Sequence, residues 1–324
     1  MTANSHQAEL VSVVLPTYER PDLARRAVES VISQTYTPIE LIVVDDHSET
    51  PIQGALSDVT TKGIESVQYV RHPENRGVSA ARNTGIEASS GDYIAFLDDD
   101  DQWDEQKIKR QVHQFRKSDD TVGLVATGIK YKSGNMTRSG LPTLRGDVTR
   151  ELLAGEPFVQ TSAVMVRRDP LLKIGGFDEE LPSWNDRDLY IRLSRQCKFE
   201  AVPELLTIRH IEHGDNQIRH DLEQKRDISY PRFESKHRPT AAEYGRQCER
   251  RFRASLTLAL ARSAMQNGYY GDARRFYVRS LRFNPFQTDP YTRLMAVIGG
   301  PYTYKPARKI VRKVKAVSQA LSLR

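Results

Sequence analysis

The sequence predicts an α/β protein, with a mostly parallel sheet flanked by helices and a helical extension at the C-terminal end. Four short apolar runs rich in β-branched residues are typical of buried strands, at residues 11–16, 39–46, 67–72 and 92–97. A segment with helical spacing lies between the first and second runs, at 22–35, and another lies between the third and fourth, at 78–88. Strand and helix alternating at this interval indicate βαβ units, in which consecutive strands run parallel.

The ends of these strands carry the candidate functional residues. The run VSVVLP (11–16) is closed by Pro16, and IELIVVDD (39–46) ends on two acids. The run DYIAFL (92–97) leads directly into four aspartates, residues 98–101. Because ligands of open α/β sheets bind beyond the carboxyl ends of the strands, we expect the binding site at these three ends.

The four aspartates favour a divalent cation. Adjacent carboxylates repel each other, so a rigid strand end that holds them is best explained by a cation that supplies compensating charge. Oxygen ligands favour Mg²⁺ or Mn²⁺ over zinc, and such ions commonly complete their shell with phosphate oxygens. The pattern therefore predicts a nucleotide-containing substrate. The alternative is a solvated acidic loop, which is the usual interpretation of an isolated charge run.

The overall composition excludes several classes of protein. No stretch approaches the ~18 consecutive apolar residues of a membrane-spanning helix. The start, MTANSHQAEL, lacks the pattern of a secretory signal, and Cys197 and Cys248 are too few and too distant for a disulfide framework or a zinc site. We therefore expect a cytoplasmic protein.

The charges divide the chain into two regions. Residues 1–220 carry 26 Lys/Arg and 34 Asp/Glu, whereas residues 221–324 carry 22 and 8. This asymmetry predicts two regions with different roles, over 1–220 and over 221–324, of which the basic one faces an anionic partner.

Five stretches, in order, resemble the blocks of family 2 glycosyltransferases with the GT-A fold. They are VSVVLPTYERPDLARRAVESVISQTY (11–36), ELIVVDDHS (40–48), NRGVSAARNTGI (75–86), GDYIAFLDDDDQW (91–103) and GGFDEELPSWNDRDLYIRLS (175–194). The resemblance covers about residues 10–215. It implies a nucleotide-sugar donor and a Mn²⁺ or Mg²⁺ cofactor.

The resemblance implies a nucleotide-sugar pocket and a metal site. The pocket residues would be Pro16, Thr17, Tyr18, Arg20, Asp46, Arg82, Asp98 and Asp99, and the metal ligands Asp100, Asp98 and His213. Asp46 would accept the base N–H and Arg82 would pair with phosphate. The alternatives are a helix or turn cap for Asp46 and a surface ion pair for Arg82. Asp101 is expected to start the following helix, and Trp103 to serve packing or function.

Asp186 is the expected general base of an inverting transfer. Family members usually show Glu-Asp at this point, whereas this chain has Asn185-Asp186. Capping of the helix that begins near Arg187 is the alternative role for Asp186. Asp188 and Arg192 have the i,i+4 spacing of a structural ion pair. Upstream, residues 158–168 are expected to form a buried strand that leads to the GGFDE turn, where two glycines permit unusual backbone angles.

The basic region is expected to be helical. Residues 253–285 indicate two helices around Gly268–Gly271, with six core residues: Leu258, Ala259, Ala261, Ala273, Phe276 and Leu281. Residues 305–324 contain seven Lys/Arg and no acid, and their apolar residues share one helical face. This predicts a helix on an anionic membrane surface, with a solvated end helix as the alternative. Nucleic acid is not an expected partner, because no recognition motif accompanies the charge.

The functional hypothesis is a transferase that moves a sugar from a UDP-linked donor to a saccharide or polyprenyl-linked glycan. Such an enzyme would work at the inner face of the cell membrane, in polysaccharide or protein-glycan assembly. The alternative is a catalytically inactive nucleotide-sugar-binding or scaffold protein of the same fold, in which Asn185 marks a decayed site. A nucleotidyltransferase is disfavoured, because no Gly-rich phosphate loop follows the first strand.

Overall fold

The computed structural model describes residues 8–134, 136–211, 222–299 and Tyr302. The chain divides into two compact units. The first comprises residues 1–152 and 156–215, and the second comprises residues 153–155 and 216–324.

The first unit is built on a mixed sheet with the strand order β3-β2-β1-β4-β8-β6-β9-β5, and β7 pairs with β6 beside it. The strands are β1 (Val11–Thr17), β2 (Ile39–Asp45), β3 (Ser66–Arg71), β4 (Tyr93–Phe96), β5 (Asp101–Trp103), β6 (Val122–Ser133), β7 (Met136–Gly140), β8 (Val164–Arg167) and β9 (Lys198–His210).

The first four strands run parallel, as the sequence predicts. All seven residues of β1 and of β2 are buried, which explains why these runs are almost continuously apolar. Because the strands are parallel, their carboxyl ends meet at one edge, where Thr17, Asp45 and the chain after Phe96 come together. The predicted α/β architecture is therefore confirmed.

Six helices belong wholly or mainly to this unit: α1 (Pro21–Ile32), α2 (Val78–Ala88), α3 (Lys107–Lys117), α4 (Thr149–Ala154), α5 (Arg168–Lys173) and α6 (Asn185–Ser194). Helix α2 packs tightly on β1 through Gly85, where an added Cβ would overlap the Val14 side chain. This close approach fixes the height of α2 over the sheet.

The second half of the sheet is joined by non-local pairing. Strand β8 runs antiparallel to both β4 and β6, and the short strand β5 runs antiparallel to β9. The expected strand over 158–168 is shorter than predicted, because a single 3₁₀ turn at Thr161–Ala163 precedes β8.

The second unit contains α7 (Leu222–Gln224), α8 (Tyr230–Glu243), α9 (Arg246–Gln266), α10 (Tyr270–Phe283) and α11 (Asp289–Val297). The two helices predicted around Gly268 are present as α9 and α10. Their core contains Leu258, Ala261 and Ala273, and also Tyr277, which was not among the predicted core residues. No helix within the described ranges is long and apolar enough to cross a membrane.

Candidate active site at the carboxyl edge of the sheet

The predicted nucleotide-pocket residues meet at the carboxyl edge. The Thr17 hydroxyl donates to Oδ2 of Asp99 at 3.0 Å, and Arg20 pairs with Oδ1 of the same carboxylate at 3.3 Å. The Asp46 amide donates to the Thr17 carbonyl at 2.9 Å, which joins the end of β2 to the end of β1. Pro16 is buried, whereas the Tyr18 side chain is largely exposed at the same edge.

Asp46 is held by its own loop. One carboxylate oxygen contacts Nδ1 of His72 at 2.7 Å and accepts the Arg76 amide at 2.9 Å. The other accepts the Gly77 amide at 2.7 Å. The carboxylate therefore organises the turn that leads into α2, which is the turn-capping role given as the alternative for this residue. Its contact with a nucleotide base stays a prediction.

Arg82 joins the acidic run to the second predicted catalytic block. Its guanidinium pairs with Asp98 at 2.5 Å and is only 5% exposed, so the ion pair given as the alternative is present but is buried and does not lie at the surface. The contact of Arg82 with phosphate stays a prediction. Burial alone would lower the pKa of Arg82, but the nearby charges of Asp98 and Asp186 outweigh it and raise that pKa. Arg82 Nε has no hydrogen-bond acceptor within the described ranges.

Asp99 and Asp100 lie in an environment that disfavours their charge. Burial and the charge of Asp100 raise the pKa of Asp99 to about 6, although Arg20 opposes the shift. Burial and the charge of Asp98 also raise the pKa of Asp100. The carboxylates therefore repel each other at a rigid strand end, as the sequence suggested.

Asp101 does not start a helix, so that expectation is wrong. It begins β5 and pairs with Arg209 of β9, and α3 starts only at Lys107. Asp101 is 1% exposed, and neither carboxylate oxygen makes a hydrogen bond of normal geometry to the described residues. Burial, then Asp98 and Asp100, raise its pKa to about 8. Sequence reasoning missed this residue, because no local pattern announces the pairing of β5 with β9.

The arrangement fits a divalent cation. Carboxylate oxygens of Asp98, Asp100 and Asp101 all lie within 4.8 Å of one another. These three carboxylates would hold an ion such as Mg²⁺ or Mn²⁺, which prefers oxygen ligands. The unpaired, buried oxygens of Asp101 are the groups that such an ion would satisfy. The predicted ligand His213 lies outside the described residues.

Asp186 lies in the first turn of α6, after Trp184 in the left-handed region at φ +66°. The helix begins at Asn185, so Asp186 is not the N-cap residue, although its carboxylate accepts the Arg187 amide at 2.7 Å. Burial raises the pKa of Asp186, against the opposing effects of Arg187 and Arg82. A raised pKa suits a carboxylate that must take up a proton.

The GGFDE turn connects α2 with α6. Gly175 and Gly176 have φ of +76° and +67°, which confirms the predicted need for glycine. Asn83 holds Phe177 by two hydrogen bonds of 2.8 and 2.9 Å, and the Phe177 ring lies 5.0 Å from the Arg82 guanidinium.

From the other side, Arg192 donates to the Gly176 carbonyl at 2.7 Å while pairing with Asp188 at 2.6 Å. The structural pair is thus confirmed, and it also fixes α6 against the turn. Asn83 is a positioning residue that sequence reasoning missed. Trp103 packs as a buried residue, and its indole N–H donates to the Ser162 carbonyl at 2.7 Å.

The parallel half-sheet with its acidic edge defines a glycosyltransferase of the GT-A fold. The chain belongs to glycosyl transferase family 2, whose family model matches residues 12–175.

Relatives of known sequence agree with this assignment. The glycosyl transferase WcaA of Escherichia coli K12, named for colanic acid biosynthesis, is 30% identical over 241 residues, which cover 71% of this chain and 81% of WcaA. An uncharacterized glycosyltransferase of Rickettsia felis is 29% identical over 219 residues, or 64% of this chain. The match spans only 36% of that longer protein.

Solved structures share the fold. A mannosyltransferase of Pyrobaculum calidifontis, in complex with GDP-Man and Mn²⁺, has a TM-score of 0.60 at 18% identity, with 94% of this chain and 83% of that chain covered. Staphylococcus aureus TarS 1-349, in complex with UDP-GlcNAc, has a TM-score of 0.54 at 14% identity, with 85% and 88% covered. At these identities the likeness shows the fold alone.

Proposed function

We propose that this glycosyltransferase is metal-dependent and inverting, and that it takes a UDP-linked sugar as donor. The observation that carries the proposal is that two carboxylates act on Arg82. Asp98 forms an ion pair with its guanidinium, and the charge of Asp186 helps to raise its pKa. The acidic run and the base candidate are 88 residues apart in sequence, yet both act on one guanidinium. A site built for transfer needs both ends in one place.

The acidic edge would hold the metal through Asp98 and Asp100, with Asp101 as an added ligand. When bound, a divalent ion supplies positive charge to the diphosphate leaving group. Thr17, Arg20, Asp46 and Asp99 would line the nucleotide side of the pocket. The buried guanidinium of Arg82 would keep the carboxylate of Asp98 in place, and its Nε, which has no acceptor among the described residues, would donate to a phosphate oxygen of the donor.

Asp186 would act as the general base. An acceptor hydroxyl attacks the anomeric carbon, the bond from that carbon to the phosphate oxygen breaks, and the hydroxyl proton passes to Asp186. The attack from the opposite face inverts the anomeric configuration. The raised pKa of Asp186 favours this proton uptake. Asn185 donates to the Ser79 hydroxyl at 3.0 Å and accepts the Asp186 amide at 2.7 Å, so it supports the neighbouring residue.

The proposed acceptor is a saccharide or a polyprenyl-linked glycan, and the proposed process is polysaccharide or protein-glycan assembly. The E. coli relative named for colanic acid biosynthesis supports this substrate class. The proposed location is the cytoplasmic face of the membrane, reached through the basic region 221–324. Within that region the helix expected over 305–324 lies outside the described residues.

A donor screen tests the proposal. Thermal unfolding is followed with UDP- and GDP-linked sugars, each with and without Mn²⁺, and one donor is expected to stabilise the protein only when metal is present. Inversion is checked by the anomeric configuration of the product. Stabilisation by every donor regardless of metal would contradict metal dependence.

Asp186→Asn separates the enzyme from the inactive binding protein. Turnover should fall by about 10³-fold or more, while donor stabilisation stays unchanged, because the base acts only on the acceptor. Asp120→Asn, on an exposed side chain, is the matched control. If no acceptor or water supports nucleotide release by the wild type, while one donor still binds, the inactive binding protein is the better description.

A further inference from the structure

Helix α11 carries apolar residues on two sides, and among the described residues only one of these sides is packed. Its inner side carries Pro290 and Val297, which are buried, and Leu294, which packs against the helical core. Its outer side carries Tyr291, Met295 and Ile298, which directly follows the helix; these are 48%, 73% and 61% exposed. A surface helix normally has a polar outer side, so an outer apolar side indicates a partner.

The outer residues form one continuous stripe. Positions 291, 295 and 298 are spaced by four and three residues, which places their side chains above one another on a helix. Tyr302, 89% exposed, lies a further four positions along the chain. We call Tyr291, Met295 and Ile298 the α11 apolar face.

The charged residues that follow Asp289, at the start of α11, are all basic. Asp289 is the last acidic residue of the chain, and it is paired with Arg262 at 2.9 Å and with Arg293 at 2.7 Å. Arg274 donates to the Ile298 carbonyl at 2.7 Å, which places a further cation at the end of α11. The chain after Asp289 carries eight basic residues and no acid: Arg293, Lys305, Arg308, Lys309, Arg312, Lys313, Lys315 and Arg324.

We propose that the α11 apolar face docks on an anionic lipid surface, with the basic residues that follow it adding electrostatic attraction. Exposed aromatic and aliphatic side chains beside an acid-free basic segment match the two parts of such a surface, the acyl boundary and the negatively charged head groups. A second copy fits less well, because a two-fold contact would bring two basic segments together. Nucleic acid would leave the apolar stripe unused.

This inference deepens the proposed function, since it names the surface that would bring the enzyme to a lipid-linked acceptor. The donor site belongs to the first unit, so its binding can be measured separately. If the wild type does not bind vesicles but is still stabilised by a donor, only the inference about the α11 apolar face fails. If the wild type binds vesicles but no donor stabilises it, only the proposed function fails.

The test is sedimentation of the full chain with vesicles of phosphatidylcholine alone and of phosphatidylcholine mixed with phosphatidylglycerol. The wild type is expected to bind the mixed vesicles and to be released by salt. The double variant Met295→Ser with Ile298→Ser should bind at least about tenfold more weakly, because two apolar side chains no longer enter the interface. Val278→Ser, at an exposed apolar position of α10, is the matched control and should bind like the wild type.

A second variant tests the charge and leaves the sequence of α11 unchanged. Lys313→Gln with Lys315→Gln should weaken binding roughly fivefold for each cation removed, at low salt. Wild-type binding by the double serine variant, or equal binding to both kinds of vesicle, would overturn the inference. So would self-association of the wild type without vesicle binding, provided that the serine variant is monomeric, because a second copy would then cover the face.

Discussion

Two acidic runs follow parallel strands of the same sheet, yet their surroundings differ. Asp45, at the end of β2, accepts hydrogen bonds from the Ser48 and Ile52 amides at 2.8 and 3.1 Å and from the Tyr69 hydroxyl at 2.5 Å. Asp101, after β4, is equally buried, but neither of its carboxylate oxygens makes a hydrogen bond of normal geometry to the described residues. Burial alone raises the pKa of either group, and only in Asp45 do the hydrogen bonds reverse the shift.

The difference teaches how to separate structural from functional carboxylates. A buried carboxylate that accepts backbone amides stabilises the loop that supplies them. A buried carboxylate without donors costs stability, and it is tolerated where a ligand supplies the missing charge. In this chain the first description fits Asp45 and Asp46, and the second fits Asp101. Asp98 and Asp99 are intermediate cases, because their donors are the side chains of Arg82, Thr17 and Arg20 and not backbone amides.

The largest expected effect concerns the second run. Asp100→Asn should lower transfer by about 10³-fold or more and abolish stabilisation by Mn²⁺ with donor, because a partly exposed oxygen ligand is lost. Folding should be retained, since the mutual repulsion of the aspartates decreases. Initial rates and thermal unfolding measure both. Metal-dependent stabilisation of the variant equal to that of the wild type would remove Asp100 from the metal site.

Asp45→Ala should instead lower the stability of the fold. We expect the free energy of unfolding to fall by about 3 kcal/mol, because the Ser48 and Ile52 amides lose their acceptor in a buried position. The urea midpoint of the variant and of the exposed control Asp120→Ala measures the effect. A change in Asp45→Ala no larger than in the control would mean that the hydrogen bonds of this carboxylate do not stabilise the β2 loop.

Asp101→Asn should stabilise the metal-free protein by about 1–2 kcal/mol near neutral pH, because burial beside Asp98 and Asp100 keeps Asp101 protonated while the unfolded chain ionises it, and a neutral amide removes that cost. The same variant should gain less stability from Mn²⁺ than the wild type does. Thermal unfolding with EDTA and with Mn²⁺ gives both values. A destabilised metal-free variant would show that Asp101 is a structural carboxylate like Asp45.

The pH dependence should have opposite signs in the two runs. The lowered pKa of Asp45 gives stability that is present above its unfolded pKa and is lost as the pH falls through the folded value. Asp101 has a folded pKa of about 8, and its unfolded pKa is ~3.9. The metal-free protein should therefore lose stability as the pH rises from about 4 to about 8. Asp101→Asn should remove this loss, and an unchanged slope would contradict the shift.

Much of the fold could be predicted, because the strands and helices of its parallel half have recognisable patterns in the local sequence. The strands at 11–16, 39–46 and 92–97 are short apolar runs, and α2 begins and ends where the spacing of its apolar residues predicts. The acidic site at the strand ends followed from the same runs. These elements are recognised from the burial of their own residues, even where the partner strand is distant, as for β4, which pairs with β1.

The rest depends on contacts that no local pattern encodes. The pairing of Asp101 with Arg209 joins positions 108 residues apart, and it turns an expected helix start into a strand. Arg82 could be placed near a nucleotide, but its pairing with Asp98 and its proximity to Asp186 required the packing of α2 and α6. The outer apolar side of α11 was also missed, because periodicity alone does not reveal which side of a helix is covered.

Gly85 has a consequence for engineering the donor site. It lets α2 sit low enough on β1 for Arg82, one turn earlier, to reach the acidic run. A methyl group at position 85 would lift the helix unless Val14 were trimmed as well, so the two positions should be varied together. Libraries that aim at new sugar donors can therefore vary positions 85 and 14 together. Such changes would shift α2, and Arg82 with it, without altering a residue of the pocket itself.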